Sequence, residues 1–93
     1  MALATAIYHN DLSAARVVSA DSLAVYAIVI ANTTAGVIDY EFTNAAGTQI
    51  LAITVPADNT FALEISDGFV TQGLTVAAEA STSILTVFYR PGA

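Results

Sequence analysis

Ninety-three residues carrying eight acids and only two arginines, with no lysine and no cysteine, give a net charge of -6 and a hydrophobic fraction of 56%. That balance works against polyanion binding, since almost no cations exist to replace counterions, so neither nucleic acid nor an anionic membrane surface is an expected partner. The missing cysteines exclude disulfides and thiolate metal sites, leaving hydrophobic burial to hold the fold.

The length fits one domain, residues 1–93, with a folded surface of roughly 5,000 Å². The N-terminus MALATAIYHND lacks the basic and apolar regions of a secretory signal, so no export signal is expected. The longest wholly apolar run, Leu23 to Ala31, is about half of what a membrane-spanning helix needs.

In chain order the apolar pattern has period two rather than 3.6. Ala2 to Tyr8 predicts a strand at the terminus, with residues 1–10 serving either as an arm onto a neighbouring chain or as an edge strand. Leu12 to Val18 fits one helical turn, although Val17-Val18 leans to strand. Leu23 to Ala31, apolar on both faces and bounded by Asn32-Thr33-Thr34 and Gly36, predicts a central strand.

Val37 to Thr43 alternates strictly, with Ile38, Tyr40 and Phe42 opposed to Asp39 and Glu41, which is the pattern of a half-buried strand. Asn44-Ala45-Ala46-Gly47 predicts a hairpin turn, and Thr48 to Val55 returns as its partner. Pro56 to Thr60 predicts a loop, and Phe61, Leu63 and Ile65 then mark a strand that ends at Asp67-Gly68. Leu74, Val76 and Ala78 mark another after Gly73. Ser83 to Arg90, apolar on both faces, predicts a central or interfacial strand that Pro91-Gly92 closes. Seven to eight short strands at roughly ten-residue spacing predict an all-β, two-sheet antiparallel β-sandwich of jelly-roll or Ig-like type.

Chemistry-bearing constellations are sparse. His9 sits in a His-Asn-Asp turn context, and its bland reading, a locally hydrogen-bonded turn or interface residue, outweighs a catalytic one. Asp39 and Glu41, with Asp58 or Asp67, match no calcium loop and read as a solvated strand face. The glycines are single turn residues and make no phosphate cradle. No enzyme activity, catalytic residue, metal or cofactor is therefore expected.

Ten charged side chains on such a surface leave much of it uncharged. Two readings compete: an exterior covered by another chain, or a neutral surface of alanine and threonine. Arg16 and Arg90 either fix carboxylates within the protomer or reach across a subunit boundary. Tyr8, His9, Arg16, Phe88, Tyr89 and Arg90 are the candidate interface residues. Tyr8, Tyr26 and Tyr40 read as core or rim residues rather than as a sugar-binding platform.

The final third, FALEISDGFVTQGLTVAAEASTSILTVFYRPG, strings together a strand after a Pro-x-Asx-x turn, a Gly-Phe loop, a Gly-Leu-Thr-Val strand and a closing Leu-Thr-Val-Phe-Tyr strand. Across Val37 to Arg90 this rhythm resembles small β-sandwich structural proteins of tailed bacteriophages, including capsid decoration or cement proteins. The resemblance transfers no site residues. It implies a homo-oligomer, a trimer foremost, bound to the major capsid protein or another virion protein on the outer capsid surface. The alternative is a tail, fibre or adhesin module that recognises a host glycan or protein.

Overall fold

The computed structural model describes residues 4–9, 16–78 and 83–92. Six strands form there: β1 (Ala4–His9), β2 (Arg16–Asn32), β3 (Ile38–Thr43), β4 (Gln49–Val55), β5 (Asn59–Ala78) and β6 (Ser83–Pro91). Every pairing is antiparallel, and the hydrogen-bonded order is β1-β6-β2-β5-β3-β4.

The all-β, antiparallel expectation holds, while the described residues form six strands where seven to eight were predicted. β2 absorbs Val17-Val18 together with Leu23 to Ala31, and β5 runs without a break through both Asp67-Gly68 and Gly73. Gly68 (φ 78°) and Gly73 (φ 85°) do have the backbone conformation of turn residues. They use it to deform a continuing strand rather than to end one. The predicted loop likewise shortens to Pro56–Asp58, since Asn59 and Thr60 already belong to β5. Of the two readings of Leu12 to Val18, Arg16–Val18 follow the strand one toward which Val17-Val18 leaned; residues 12–15 lie outside the described residues.

The two expected sheets are joined into one, because the two longest strands serve both halves. Drawn straight, the 17 residues of β2 would span about 53 Å. The molecule's longest dimension is only 37 Å, so β2 must bend, and the 20-residue β5 must bend with it. The register marks the place. β2 pairs both β5 and β6 through Val25 and then through Ala27, skipping Tyr26, while β5 jumps from Phe69 to Glu64. On one side of the bend β2 lies between β6 and the first part of β5; on the other, the second part of β5 lies between β2 and β3.

No helix occurs among the described residues to cover this sheet, yet Leu23, Ile30, Tyr40, Phe42, Val55, Val76, Leu85 and Val87 are fully buried. The sheet therefore covers itself, bringing the inner faces of β2 and β6 into one core with those of β3 and β4. The strict alternation predicted for β3 appears as Ile38, Tyr40 and Phe42 inside and Asp39 and Glu41 outside. The predicted hairpin turn is also present: Asn44 N–H donates to Thr48 O at 2.9 Å, and Asn44 Oδ1 accepts from the N–H groups of Ala46 and Thr48 at 3.0 Å each.

β1 pairs β6 along its whole length, from Ala4 opposite Tyr89 to His9 opposite Ile84. Of the two readings offered for residues 1–10, the described portion, 4–9, is an edge strand of its own sheet.

Candidate interaction surface and bend pocket

Alternation along β2, β5 and β6 settles which side chains face outward beyond the bend. With Ile28 and Ile30, Leu63 and Phe61, and Leu85 and Val87 turned to the core, the outward positions are Ala27, Val29 and Ala31 on β2, Thr60, Ala62 and Glu64 on β5, and Ile84, Thr86 and Phe88 on β6. Register aligns them in three rows: Phe88–Ala27–Glu64, Thr86–Val29–Ala62 and Ile84–Ala31–Thr60. The backbone of β1 extends the same rows, with Thr5 opposite Phe88, Ile7 opposite Thr86 and His9 opposite Ile84.

Eight of those nine side chains are uncharged, and Glu64 is the exception. The outer side of the β3-β4 hairpin differs in kind. Asp39 and Glu41 are exposed there, and Asp39 Oδ1 accepts a 2.7 Å hydrogen bond from the Thr54 hydroxyl. One broad side of the molecule is thus neutral and largely apolar while the other carries carboxylates. The double apolar pattern of β2 and β6 is the signal that made the neutral side foreseeable.

The predicted interface residues are not brought together as a group. Phe88 closes one row of the neutral face, half-buried. Tyr89, its neighbour, packs instead against the core. Arg90 lies with its guanidinium carbon 5.9 Å from the centre of the Tyr26 ring, within the same protomer. No carboxylate pairs with it among the described residues. Arg16 opens β2 on an exposed position opposite Val76, on the far side of the bend. Tyr8 and His9 are in β1 by their backbone, and their side chains lie outside the described residues. Tyr40 is core, as one of the two readings had it, whereas Tyr26 is half-buried at the bend.

The bend itself makes a cavity. Because β2 skips Tyr26 and β5 bulges outward over residues 65–68, an open pocket of about 430 Å³ forms between them, lined by Tyr26, Ala27, Glu64, Ile65, Ser66 and Phe88. Bulges commonly re-aim side chains in this way beside binding sites. Reading the sequence strand by strand missed this pocket, since Ser66-Asp67-Gly68 looks like a strand end. Among the described residues no cluster of three or more metal-ligating side chains occurs.

No protein-family model matches the chain, and no curated protein matches it. Solved structures do match. The crystal structure of PirA is similar with a TM-score of 0.53 at 20% identity, over 92% of this chain and 93% of that one. A subunit of Bacillus endospore appendages, described as disulfide-linked pili, is similar with a TM-score of 0.50 at 19% identity, over 95% of this chain and 84% of that one. At such identities the likeness concerns the fold alone. The disulfide linkage of those pili has no counterpart here, because this chain has no cysteine.

Proposed function

We propose that this chain is a non-enzymatic structural protein, a capsid decoration or cement protein of a tailed phage, that seats its neutral β6-β2-β5 face on another virion protein. The observation that carries this reading is the nine-position outer face with Glu64 as its one charged side chain, in a protein of net charge -6. A sheet face of alanine, valine, isoleucine, phenylalanine and threonine gains little from water and much from a flat protein partner. The carboxylates of Asp39 and Glu41, on the other broad side, keep that side hydrated. The resemblance of Val37 to Arg90 to phage structural β-sandwiches supports the same reading, as does a fold shared with an appendage subunit.

Magnitudes shape the mechanism. The three rows cover an area on the order of 300 Å² at ordinary strand spacings. That is under half of the roughly 800 Å² each partner contributes to a standard interface. One face therefore binds weakly, and firm attachment calls for several linked copies, which is what a trimer supplies through effective concentration. Binding only to the assembled shell stabilises that shell by mass action, with the major capsid protein as the partner.

Imaging of virions made with and without this protein tests the reading. Its density is expected on the outer capsid surface, with the neutral face turned to the shell and the Asp39–Glu41 side turned to solvent. Density in the tail, or none on the virion, would refute the capsid assignment.

A further inference from the structure

We infer that the bend pocket is a saccharide-binding site that takes a single neutral pyranose ring. The inference does not rest on the docking reading, but the pocket shares the row Phe88–Ala27–Glu64 with the docking face, so a sugar and a docked partner compete for it. Its volume, about 430 Å³, lies within the range of small-molecule sites. Its lining has two chemistries on two sides. Phe88, Ile65 and Ala27 offer carbon surface, while Glu64, Ser66 and Tyr26 offer a carboxylate and two hydroxyls. A pyranose has the same division, with a face of C–H groups and a rim of hydroxyls. Stacking the C–H face on Phe88 leaves the rim toward Glu64 and Ser66, where the carboxylate accepts hydrogen bonds from two hydroxyls and the serine donates or accepts as needed.

Three further observations bear on the class of ligand. Glu64 and Ser66 are exposed, and among the described residues neither has an intramolecular side-chain partner, so both remain available. The Arg90 guanidinium over the Tyr26 ring sets a positive charge beside the pocket to oppose Glu64, which favours an uncharged ligand over a cation or an anion. Shape is held by the backbone rather than by a loose loop. Gly68 at φ 78° lies against Tyr26, and Tyr26 is the residue that both flanking strands skip.

The test is a titration of the intact protein, followed by amide chemical shifts in NMR, with methyl glycosides of glucose, galactose, mannose and N-acetylglucosamine as probes. Sorbitol, which has the hydroxyls without the ring, and blocked lysine and leucine amides serve as comparisons. At least one glycoside is expected to bind with a dissociation constant of about 1 mM, shifting the amides of Tyr26, Ala27, Glu64, Ser66 and Phe88. Sorbitol is expected to leave them unmoved. Phe88→Ala and Glu64→Gln are each expected to weaken binding about tenfold with the rest of the amide spectrum retained. Two results would overturn the assignment: no shift with any glycoside, or binding that survives both substitutions. Binding of the blocked amino acids without the glycosides would overturn it as well, marking the pocket as an anchor for a partner's side chain. Failure here leaves the capsid docking face intact, since that face is read out on virions and not by sugars.

Discussion

Gly68 lies so close to Tyr26 that a β-carbon built on it would stand 3.0 Å from Cζ and 3.1 Å from Cε1 of the ring. Two demands meet at one residue: the backbone conformation, φ 78°, and the space taken by an aromatic side chain across the bend. Gly68→Ala is therefore expected to cost about 2 kcal/mol, combining backbone strain with displacement of the ring. Urea unfolding measures it. In a Tyr26→Ala background the same change should cost about 1 kcal/mol, the backbone share alone. Equal costs in both backgrounds would mean that the ring plays no part.

Asn32 closes the far end of β2 in a different manner. Its buried side-chain amide nitrogen lies 2.9 Å from Gly36 O and 3.1 Å from both Val55 O and Pro56 O. Its Oδ1 accepts from the backbone N–H of Thr34 at 2.9 Å and from the Thr34 hydroxyl at 2.7 Å. One side chain thus ties the turn after β2 to the end of β4. Asn32→Ala should lose about 2 kcal/mol, because the buried bond to Val55 O and the part-buried bonds to Gly36 O and Pro56 O are lost together. Asn32→Asp should be at least as damaging at neutral pH, since a carboxylate keeps the shape but has no proton to give those carbonyls. A denaturation midpoint for Asn32→Asp equal to that of the parent would contradict this account.

Gly73 marks a second close approach, here including backbone to backbone. A β-carbon there would stand 2.8 Å from Ala45 Cβ and 3.0 Å from Ala45 N, whose own N–H donates to Gln72 O at 2.8 Å. The β3-β4 turn is thereby pinned to β5. Gly73→Ala should destabilise by about 3 kcal/mol, for the obstacle includes main chain and φ is 85°. Adding Ala45→Gly removes the Cβ contact but leaves those to Ala45 N and Cα, and should restore only part of the loss. Thermal unfolding of the single and double variants checks the ordering, and full restoration would place the whole cost in the methyl group.

The difference between what period-two alternation revealed and what it concealed has a physical origin. Ile38, Tyr40 and Phe42 announced their burial because a strand with one wet face must alternate, and the hairpin at Asn44–Gly47 carried its own turn chemistry. Gly68 and Gly73 carried the opposite message. Positive φ is common to turns and to bulges, and only the partner strand decides between them; Val25 and Ala27 of β2, pairing on either side of Tyr26, keep β5 continuous. Of the candidate interface residues, Phe88 lies on the neutral face through simple alternation with Val87. Arg90 was destined for Tyr26 by a bulge that no local pattern encodes.

Val29 stands at the centre of the neutral face, between Thr86 and Ala62, and is half-buried by its own neighbours. Val29→Glu should leave the protomer folded, with a loss of about 1 kcal/mol, because the carboxylate can reach water. Attachment should fail by at least about a hundredfold, since docking would bury an unpaired charge. Ala46→Glu, on the exposed β3-β4 turn, is the matching change away from the face and should bind as the parent does. Co-sedimentation with capsids that lack the protein distinguishes the two, and equal retention of both variants would remove the neutral face from the attachment surface.

Removing residues 1–9 tests the edge. β1 contributes six residues of antiparallel ladder to β6 and is the outermost strand, so its loss uncovers the backbone groups of β6 along Ile84–Tyr89. β6 is rich in apolar and β-branched residues, with Ile84 already 38% exposed, and an uncovered edge of that kind invites pairing with another chain. The shortened protein is therefore expected to keep its β-rich spectrum and self-associate at micromolar concentration. A synthetic peptide of residues 1–10, added in excess, should bind the vacant edge and reverse the association, as strand addition supplies the missing ladder. Light scattering follows both steps. A shortened protein that stays monomeric, or one that ignores the peptide, would show that β1 does not guard β6. Complete unfolding would show instead that β1 is part of the minimal core.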